Sequence, residues 1–345
     1  MSTVLINAPA SPVLGGGHLG RCLRLAEAFS LRGHEVVFLL ADLGGGFPDR
    51  VLEAGFPLEL SPSSGPAIEL AYLREAARRF RADLLVLDRY DLSSKTEAEF
   101  CARLGRTALM VLDDCYVAHT CTVLLNHNLY AEEARYRREA LVPPTTLVLA
   151  GPDYVLFPPD LPTYRRDHRS PCAAPKVLVS LGGSVQRDLL GRVLPLLHKL
   201  LPLDATLTLV AVPSSDEVPL LLLSRLQEEG RNVRLLPPQP SLLPLFHEAD
   251  IAVTGGGVSA IEAVALGVPL LVVRLAENQA LNTAYLDAKG LAVVVEQPEV
   301  DAHLERGCAE LLGPAWSGLL PRLEALHLSP GGGAVVAAVE HCLGW

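Results

Sequence analysis

Short, mostly apolar runs recur along this chain, separated by stretches whose apolar residues fall on a helical period. Val4–Ile6, Glu35–Leu40, Leu84–Leu87, Ala108–Leu112, Val123–Leu125 and Leu147–Leu149 predict strands. Between Leu19 and Arg32 the apolar positions Leu19, Cys22, Leu23, Ala26 and Phe29 recur every three or four residues and predict a helix that Gly33 closes. Ala67–Phe80 and Thr96–Leu104 carry the same period. Strands without polar alternation are buried on both faces, so their alternation with helices predicts a parallel sheet covered on both sides.

Residues 158–175 interrupt the pattern with five prolines and a cluster of charge. Proline removes a backbone donor and fixes φ, so the stretch predicts a linker. The alternation then restarts. Lys176–Ser180, Thr206–Val210, Val233–Leu236, Ile251–Val253 and Leu270–Val273 predict strands, and Leu189–Leu200 and the segment from Val258 predict helices. The expected organisation is an α/β domain over residues 1–160, a linker over 161–175, and a second α/β domain over 176–330. In residues 331–345, Gly331–Gly333 precede an apolar helix, Ala334–Leu343, expected to pack back on the first domain.

A length of 345 residues exceeds what one core usually supports. Asp and Glu outnumber Lys and Arg by 39 to 29, a formal charge of −10. A nucleic-acid groove or an anionic membrane surface calls for the opposite sign, so neither is an expected partner. No charged segment and apolar core open the chain as a secretory signal would, and no apolar run reaches the roughly 18 residues of a membrane span. The seven cysteines form no CxxC pair and predict buried thiols in a reducing, cytoplasmic setting. Cys115, His119 and Cys121 invite a metal reading but lack a second close pair, so no metal and no cofactor are expected.

Three segments can carry chemistry. Gly15, Gly16 and Gly17 lie between the first strand and the first helix, where backbone N–H groups at a helix N-terminus favour an anion. Gly15, Gly17 and Gly20 fit a dinucleotide fingerprint, but His18 stands where a pyrophosphate would pass, and no acidic residue ends the second strand in the ribose-binding manner, although Asp42 is close enough to keep that option open. His18 can deprotonate a water or hydroxyl; the structural alternative is that it only caps the helix. In the second half, Gly255, Gly256 and Gly257 precede a helix as a diphosphate cradle, and Glu262, one turn in, can accept from a ribose diol or merely complement the helix dipole. Gly182 and Gly183 follow a strand of the same sheet. Asn278 and Gln279 offer amides to sugar hydroxyls, Asn278 being equally suited to a helix N-cap. Asp88 with Tyr90, and Asp113 with Asp114, follow strands of the first half. Paired carboxylates serve acid–base work or a cation, but neighbours on one strand point apart. His119 and His127 are of a type more often found on the surface or hydrogen-bonded in a core than in catalysis.

The ordered set GGGHLGRCLRLAEAF, LLVLDRYDL, VLDDCYVAHTCTVLLNHNLYA, VSLGGS, ADIAVTGGGVSAIEAVALGVP and ENQ resembles PseG, the UDP-sugar hydrolases of pseudaminic acid biosynthesis. The resemblance implies a GT-B fold, two Rossmann-like domains with parallel sheets facing a central cleft. It also implies metal-free cleavage of a UDP-linked acetamido deoxy sugar by water, with inversion. Carried over by position, it implies His18 as the base. Sugar contacts fall on Gly16, Gly17, Arg21, Tyr90, Asn278 and Gln279, and nucleotide contacts on Gly182, Gly183, Gly255, Gly256, Gly257, Ser259 and Glu262. The chain departs from the family's Arg-x-Asp after the first strand, where it has Asn7-Ala8-Pro9, and from the Asp after GGS, where it has Val185. A glycosyltransferase acting on an acceptor is the alternative, since one base serves either nucleophile, and a non-catalytic nucleotide-sugar binder is a third reading.

Overall fold

The first half alternates strand and helix as the apolar pattern requires: β1 (Thr3–Asn7), α1 (Gly17–Leu31), β2 (Glu35–Leu40), α2 (Phe47–Glu53), β3 (Leu58–Leu60), α3 (Pro66–Arg79), β4 (Leu84–Leu87), α4 (Ser94–Leu104), β5 (Ala108–Leu112), β6 (Val123–Asn126), α5 (Glu133–Arg138) and β7 (Leu147–Ala150). The second half continues with β8 (Lys176–Ser180), α6 (Arg187–Leu200), β9 (Thr206–Val210), α7 (Glu217–Glu228), β10 (Asn232–Leu236), α8 (Leu243–Glu248), β11 (Ile251–Gly255), α9 (Val258–Ala265), β12 (Leu270–Arg274), α10 (Ala280–Ala288), β13 (Val293–Glu296), α11 (Val300–Leu312) and α12 (Ala315–Glu324), and the chain ends in α13 (Gly332–Leu343). This computed structural model describes residues 1–11, 16–62, 66–166, 173–182, 187–211, 217–296, 300–312 and 315–345. It divides into two units, Met1–Pro158 with Pro330–Trp345, and Pro159–Ser329.

The first unit holds a seven-stranded sheet in the order β3-β2-β1-β4-β5-β6-β7, with every pairing parallel. The order reverses between β1 and β4, and at such a reversal the carboxyl ends of the two strands open a crevice. Asn7 lies opposite Leu87 in register, so the residues that follow the two strands emerge side by side. The second unit repeats the arrangement with six parallel strands, β10-β9-β8-β11-β12-β13, reversing between β8 and β11.

The central strands of each sheet are buried because they are apolar on both faces; Leu84–Leu87 are all essentially inaccessible, whereas the edge strands β3 and β10 are largely open. In the first unit one core runs from Val4, Ile6 and Phe38 through Leu19, Cys22, Leu25 and Phe29 to Val335, Val336 and Val339 of α13. Full burial of each valine contributes about 1.5–3 kcal/mol. A Cβ on Gly332 would stand 2.9 Å from the Ala28 Cβ, so glycine permits the close approach of α13 to α1. Glu340 on α13 accepts from Arg32 Nε at 3.0 Å and pairs with His34 Nε2 at 3.0 Å, fixing the turn after α1.

The stretch expected as a linker is partly anchored. Leu161–Tyr164 form a 3-10 turn. Arg165 donates to the carbonyls of Ala265 (3.2 Å) and Leu328, and Arg166 donates to Asp250 at 3.0 Å. These arginines supply what the prolines cannot, donors that tie the backbone to the second unit, and residues 167–172 lie outside the described residues. Among the described residues no helix is long and apolar enough to cross a membrane.

Candidate active site

Helix α1 begins at the reversal between β1 and β4. Its N-cap is Gly16 and no side chain caps it, so His18, the second helical residue, is not a capping residue. A Cβ on Gly16 would fall 2.6 Å from Arg50 Nη1, whereas one on Gly17 would meet nothing within 4 Å. Gly15 lies outside the described residues.

The His18 side chain turns toward β4, where Nδ1 lies 2.7 Å from Asp88 Oδ1. Asp88 directly follows β4 and is fully buried. An ionised carboxylate only accepts, so Nδ1 carries the proton and Nε2 keeps its lone pair. Arg21 Nη2 also comes within 3.2 Å of Nδ1, but two donors then face each other, and the bond belongs to Asp88. Nothing among the described residues binds Nε2.

Arg21 lies one turn after His18 and therefore on the same helix face. Expected as a sugar contact, it is buried, and its donors are taken by protein. Nε donates to Asp88 Oδ2 (2.6 Å), Nη2 to Asp88 Oδ1 (2.5 Å), and Nη1 to both oxygens of Asp114 (2.7 Å each). A guanidinium forks planar acceptors in this way, and here each of its three nitrogens is held by a buried carboxylate. Asp114 also accepts from Asn128 Nδ2 at 2.9 Å and from the Tyr90 hydroxyl. Tyr90, 46% exposed, sets its ring edge-on to His18 with centroids 4.9 Å apart. Five side chains thus close a circuit: His18, Asp88, Arg21, Asp114, Tyr90 and back to His18.

Burial alone would push the Asp88 carboxyl up, but the Arg21 guanidinium and the His18 ring hold it well below the usual carboxylate range. Asp114 behaves likewise, burial being outweighed by Arg21 and His127. His127 is pushed down to about 4 by burial and by Arg21, which leaves it neutral at pH 7 with Nε2 3.4 Å from Arg21 Nη1. Cys22 is buried with its Sγ 3.5 Å from Asp88, and burial followed by that carboxylate pushes the thiol well up.

A second histidine–carboxylate group sits behind this circuit. His119 Nδ1 lies 2.8 Å from Glu97 Oε1, and Nε2 lies 3.8 Å from Asp113 Oδ1. Burial would push His119 down, but Asp113 and Glu97 outweigh it and bring it up to about 9. Asp113 accepts from the Tyr136 hydroxyl at 2.5 Å, so the adjacent acids Asp113 and Asp114 serve different partners. Among the described residues no three His, Cys, Asp or Glu side chains are grouped to hold a metal ion.

The glycine triplet of the second unit divides its roles. Gly255 is the last residue of β11, where a Cβ would fall 2.7 Å from Leu275 Cδ1. Gly256 donates its N–H to Gln279 Oε1 (3.0 Å) and accepts from Asn282 Nδ2 (2.7 Å). A Cβ there would fall 2.5 Å from Thr283 Cγ2, so these two glycines admit α10 and its preceding turn. Gly257 is the N-cap of α9, with Ser259 in the first turn and Glu262 half-buried in the second. Gln279 Oε1, expected to face a sugar, also accepts from Leu275 N at 3.0 Å and so locks the loop. Asn278 is exposed in the 3-10 turn Glu277–Gln279, and the N-cap of α10 is Gln279 rather than Asn278. Gly182 follows β8 with φ +97°, a conformation suited to glycine, and Gly183 and Val185 lie outside the described residues.

Reasoning from sequence gave Asp88 and Asp114 minor weight and passed over Asn282. Asp88 had a signal: it follows the strand that neighbours β1 across the reversal.

Residues 177–316 match the family described as glycosyltransferase family 28 C-terminal domain. Over 290 residues the chain is 25% identical to a UDP-2,4-diacetamido-2,4,6-trideoxy-beta-L-altropyranose hydrolase of Campylobacter jejuni, an alignment covering 84% of this chain and 98% of that protein. Among solved structures, MurG of Acinetobacter baumannii superposes with a TM-score of 0.67 at 15% identity, covering 99% of this chain and 100% of that one. A spinosyn rhamnosyltransferase, SpnG, complexed with thymidine diphosphate, superposes with a TM-score of 0.63 at 16% identity, with 99% and 100% covered. The fold is GT-B, and the sequence similarity to the Campylobacter hydrolase extends over most of the chain.

Proposed function

We propose that this protein hydrolyses a nucleotide sugar, cleaving the glycosidic C–O bond of a UDP-linked deoxy or acetamido sugar with water, with His18 as general base. It is an enzyme of the glycosyltransferase and UDP-sugar hydrolase type. The observation that carries the finer reading is the 2.7 Å contact between His18 Nδ1 and Asp88, which leaves Nε2 as a lone pair for substrate. The diacetamido-trideoxy class of sugar, and with it a role in pseudaminic acid biosynthesis, is supported by the likeness to the Campylobacter hydrolase. The described cysteines are all free, which suits a cytoplasmic enzyme.

In this mechanism Nε2 takes a proton from water as the water oxygen attacks the anomeric carbon. The bond from that carbon to the diphosphate oxygen breaks, and its electron pair leaves with UDP. Water enters opposite the leaving group, so the configuration inverts. Asp88 holds the ring in the correct tautomer and stabilises the imidazolium as it forms. The second unit binds UDP: Gly257 and Ser259 present N–H groups at the start of α9, Glu262 takes the ribose, and Gly182 borders the nucleotide. Tyr90, exposed beside the His18 ring, contacts the sugar.

One solved structure favours a second reading in one respect, since SpnG is a spinosyn rhamnosyltransferase. The same base would then take its proton from an acceptor hydroxyl. Incubation with a panel of UDP-sugars, with and without acceptors and in ¹⁸O-water, separates the two. Hydrolysis predicts unlabelled UDP released in water alone, at a rate that His18→Ala lowers by about 10²–10⁴-fold. Release that requires an acceptor makes the protein a transferase, and label in UDP would place the cleavage at phosphorus.

A further inference from the structure

Asp114 stands outside the reacting pair, yet it joins the Arg21–Asp88 side of the circuit to Tyr90. On one side it takes Arg21 Nη1 through both oxygens at 2.7 Å, and Arg21 in turn grips both oxygens of Asp88. On the other it accepts the hydroxyl of Tyr90, whose ring stands edge-on to His18. Asn128 Nδ2 fixes it at 2.9 Å, and the Tyr130 hydroxyl donates to its backbone carbonyl. We infer that Asp114 is a positioning residue for the reaction: it sets the general-base pair His18–Asp88 and the sugar-facing Tyr90 in one mutual geometry, and it sets the charge against which His18 works. This rests on the reading of His18 as base.

The charge argument is a count. With His18 neutral, Arg21 carries one positive charge against the two negative charges of Asp88 and Asp114, a net −1. When His18 takes the proton of water the circuit becomes neutral. Without the Asp114 charge the same step would run from neutral to +1 in a buried site, where an unbalanced charge is costly. The other groups facing the circuit do not change this count. Cys22 of α1 is held as the thiol, Tyr90 and Asn128 are neutral, and His127 after β6 is kept neutral by burial and Arg21. Loss of Asp114 would leave His127 neutral still, since Asp114 is one of the charges that favours its protonation.

The test is Asp114→Asn in the full chain, assayed by UDP release across pH beside His18→Ala, Asp88→Asn and the double variant Asp88→Asn/Asp114→Asn. We expect kcat to fall about 10²-fold, the loss that follows displacement of a reacting group by about 1 Å. The acid limb of kcat/KM should move to lower pH, and Asp114→Asn should cost under threefold more once Asp88→Asn is present, as for residues acting through one another. Should Asp114→Asn not fold, Asp114→Glu keeps the charge and shifts it by one methylene; kcat should fall while the acid limb stays in place. Wild-type kcat in either variant, or losses that multiply in full with Asp88→Asn while the acid limb stays in place, overturns the inference. If His18→Ala itself retains full activity, the reading of the base fails instead.

Discussion

The two sheets reverse their strand order in the same way, yet they place opposite chemistry at the reversal. Beyond β1, β4 and the adjoining β5 lie an imidazole, a guanidinium and two carboxylates, paired with one another. Beyond β8 and β11 lie glycines and amides: Gly256 clasped by Gln279 and Asn282, and Gly257 at the start of α9. The same topology therefore serves two ends. Paired charges fix one histidine tautomer and can move a proton. The second reversal is a neutral, close-packed loop, and on the proposed reading its backbone N–H groups take the diphosphate.

The largest effects should come from the charged reversal. Asp88→Asn keeps the shape but loses the charge and replaces one acceptor oxygen with a donor, so kcat should fall by about 10³–10⁴-fold, the cost of a histidine base left in the wrong tautomer. UDP affinity, measured by calorimetry, should stay as in wild type. Arg21→Gln leaves Asp88 and Asp114 buried without their cation and should lower unfolding free energy by about 3–5 kcal/mol in urea titration. A loss below 1 kcal/mol there would mean that the pair is solvated.

At the neutral reversal the sign of the experiment is exchanged. Gly256→Ala drives a Cβ toward Thr283 Cγ2 at 2.5 Å and Gln279 Cβ at 3.3 Å. Overpacking of this kind costs about 1–3 kcal/mol. It should weaken UDP binding while leaving the acid limb of the rate profile unmoved.

A further effect, away from activity, concerns stability against pH. His119 is brought up to about 9 in the folded chain from an ordinary 6.5, so its contribution is present in full below pH 6.5 and is lost as pH rises through about 9. Melting temperature should fall across that window, and His119→Gln should remove the slope. Asp88 has the opposite sign: held below the ordinary 3.8, it contributes above that pH and its contribution fades as pH falls further.

Much of this architecture is legible in the residues themselves. Leu84–Leu87 and Val123–Leu125 have no polar face, and a parallel sheet follows. Helices α5 and α8 are six residues each, too short to repeat a helical period, and β3 is three residues long, so the pattern does not reveal them. His18 stands out because it follows a glycine run. Its partners do not, because Asp88 and Asp114 reach Arg21 across 67 and 93 residues of sequence. Only the order β1-β4-β5 brings them together, and local propensity carries no information on which strands will be neighbours. Arg21, three residues after His18, was visible as a face-mate, but its burial depends on that same strand order.

One comparison bears most directly on the division of labour between the two reversals. UDP binding and UDP release from a UDP-sugar should be measured in the same preparations of wild-type and His18→Ala protein. The account predicts equal UDP affinity and a release rate lower by about 10²–10⁴-fold in His18→Ala, the range general-base catalysis supplies. Release at the wild-type rate would contradict it.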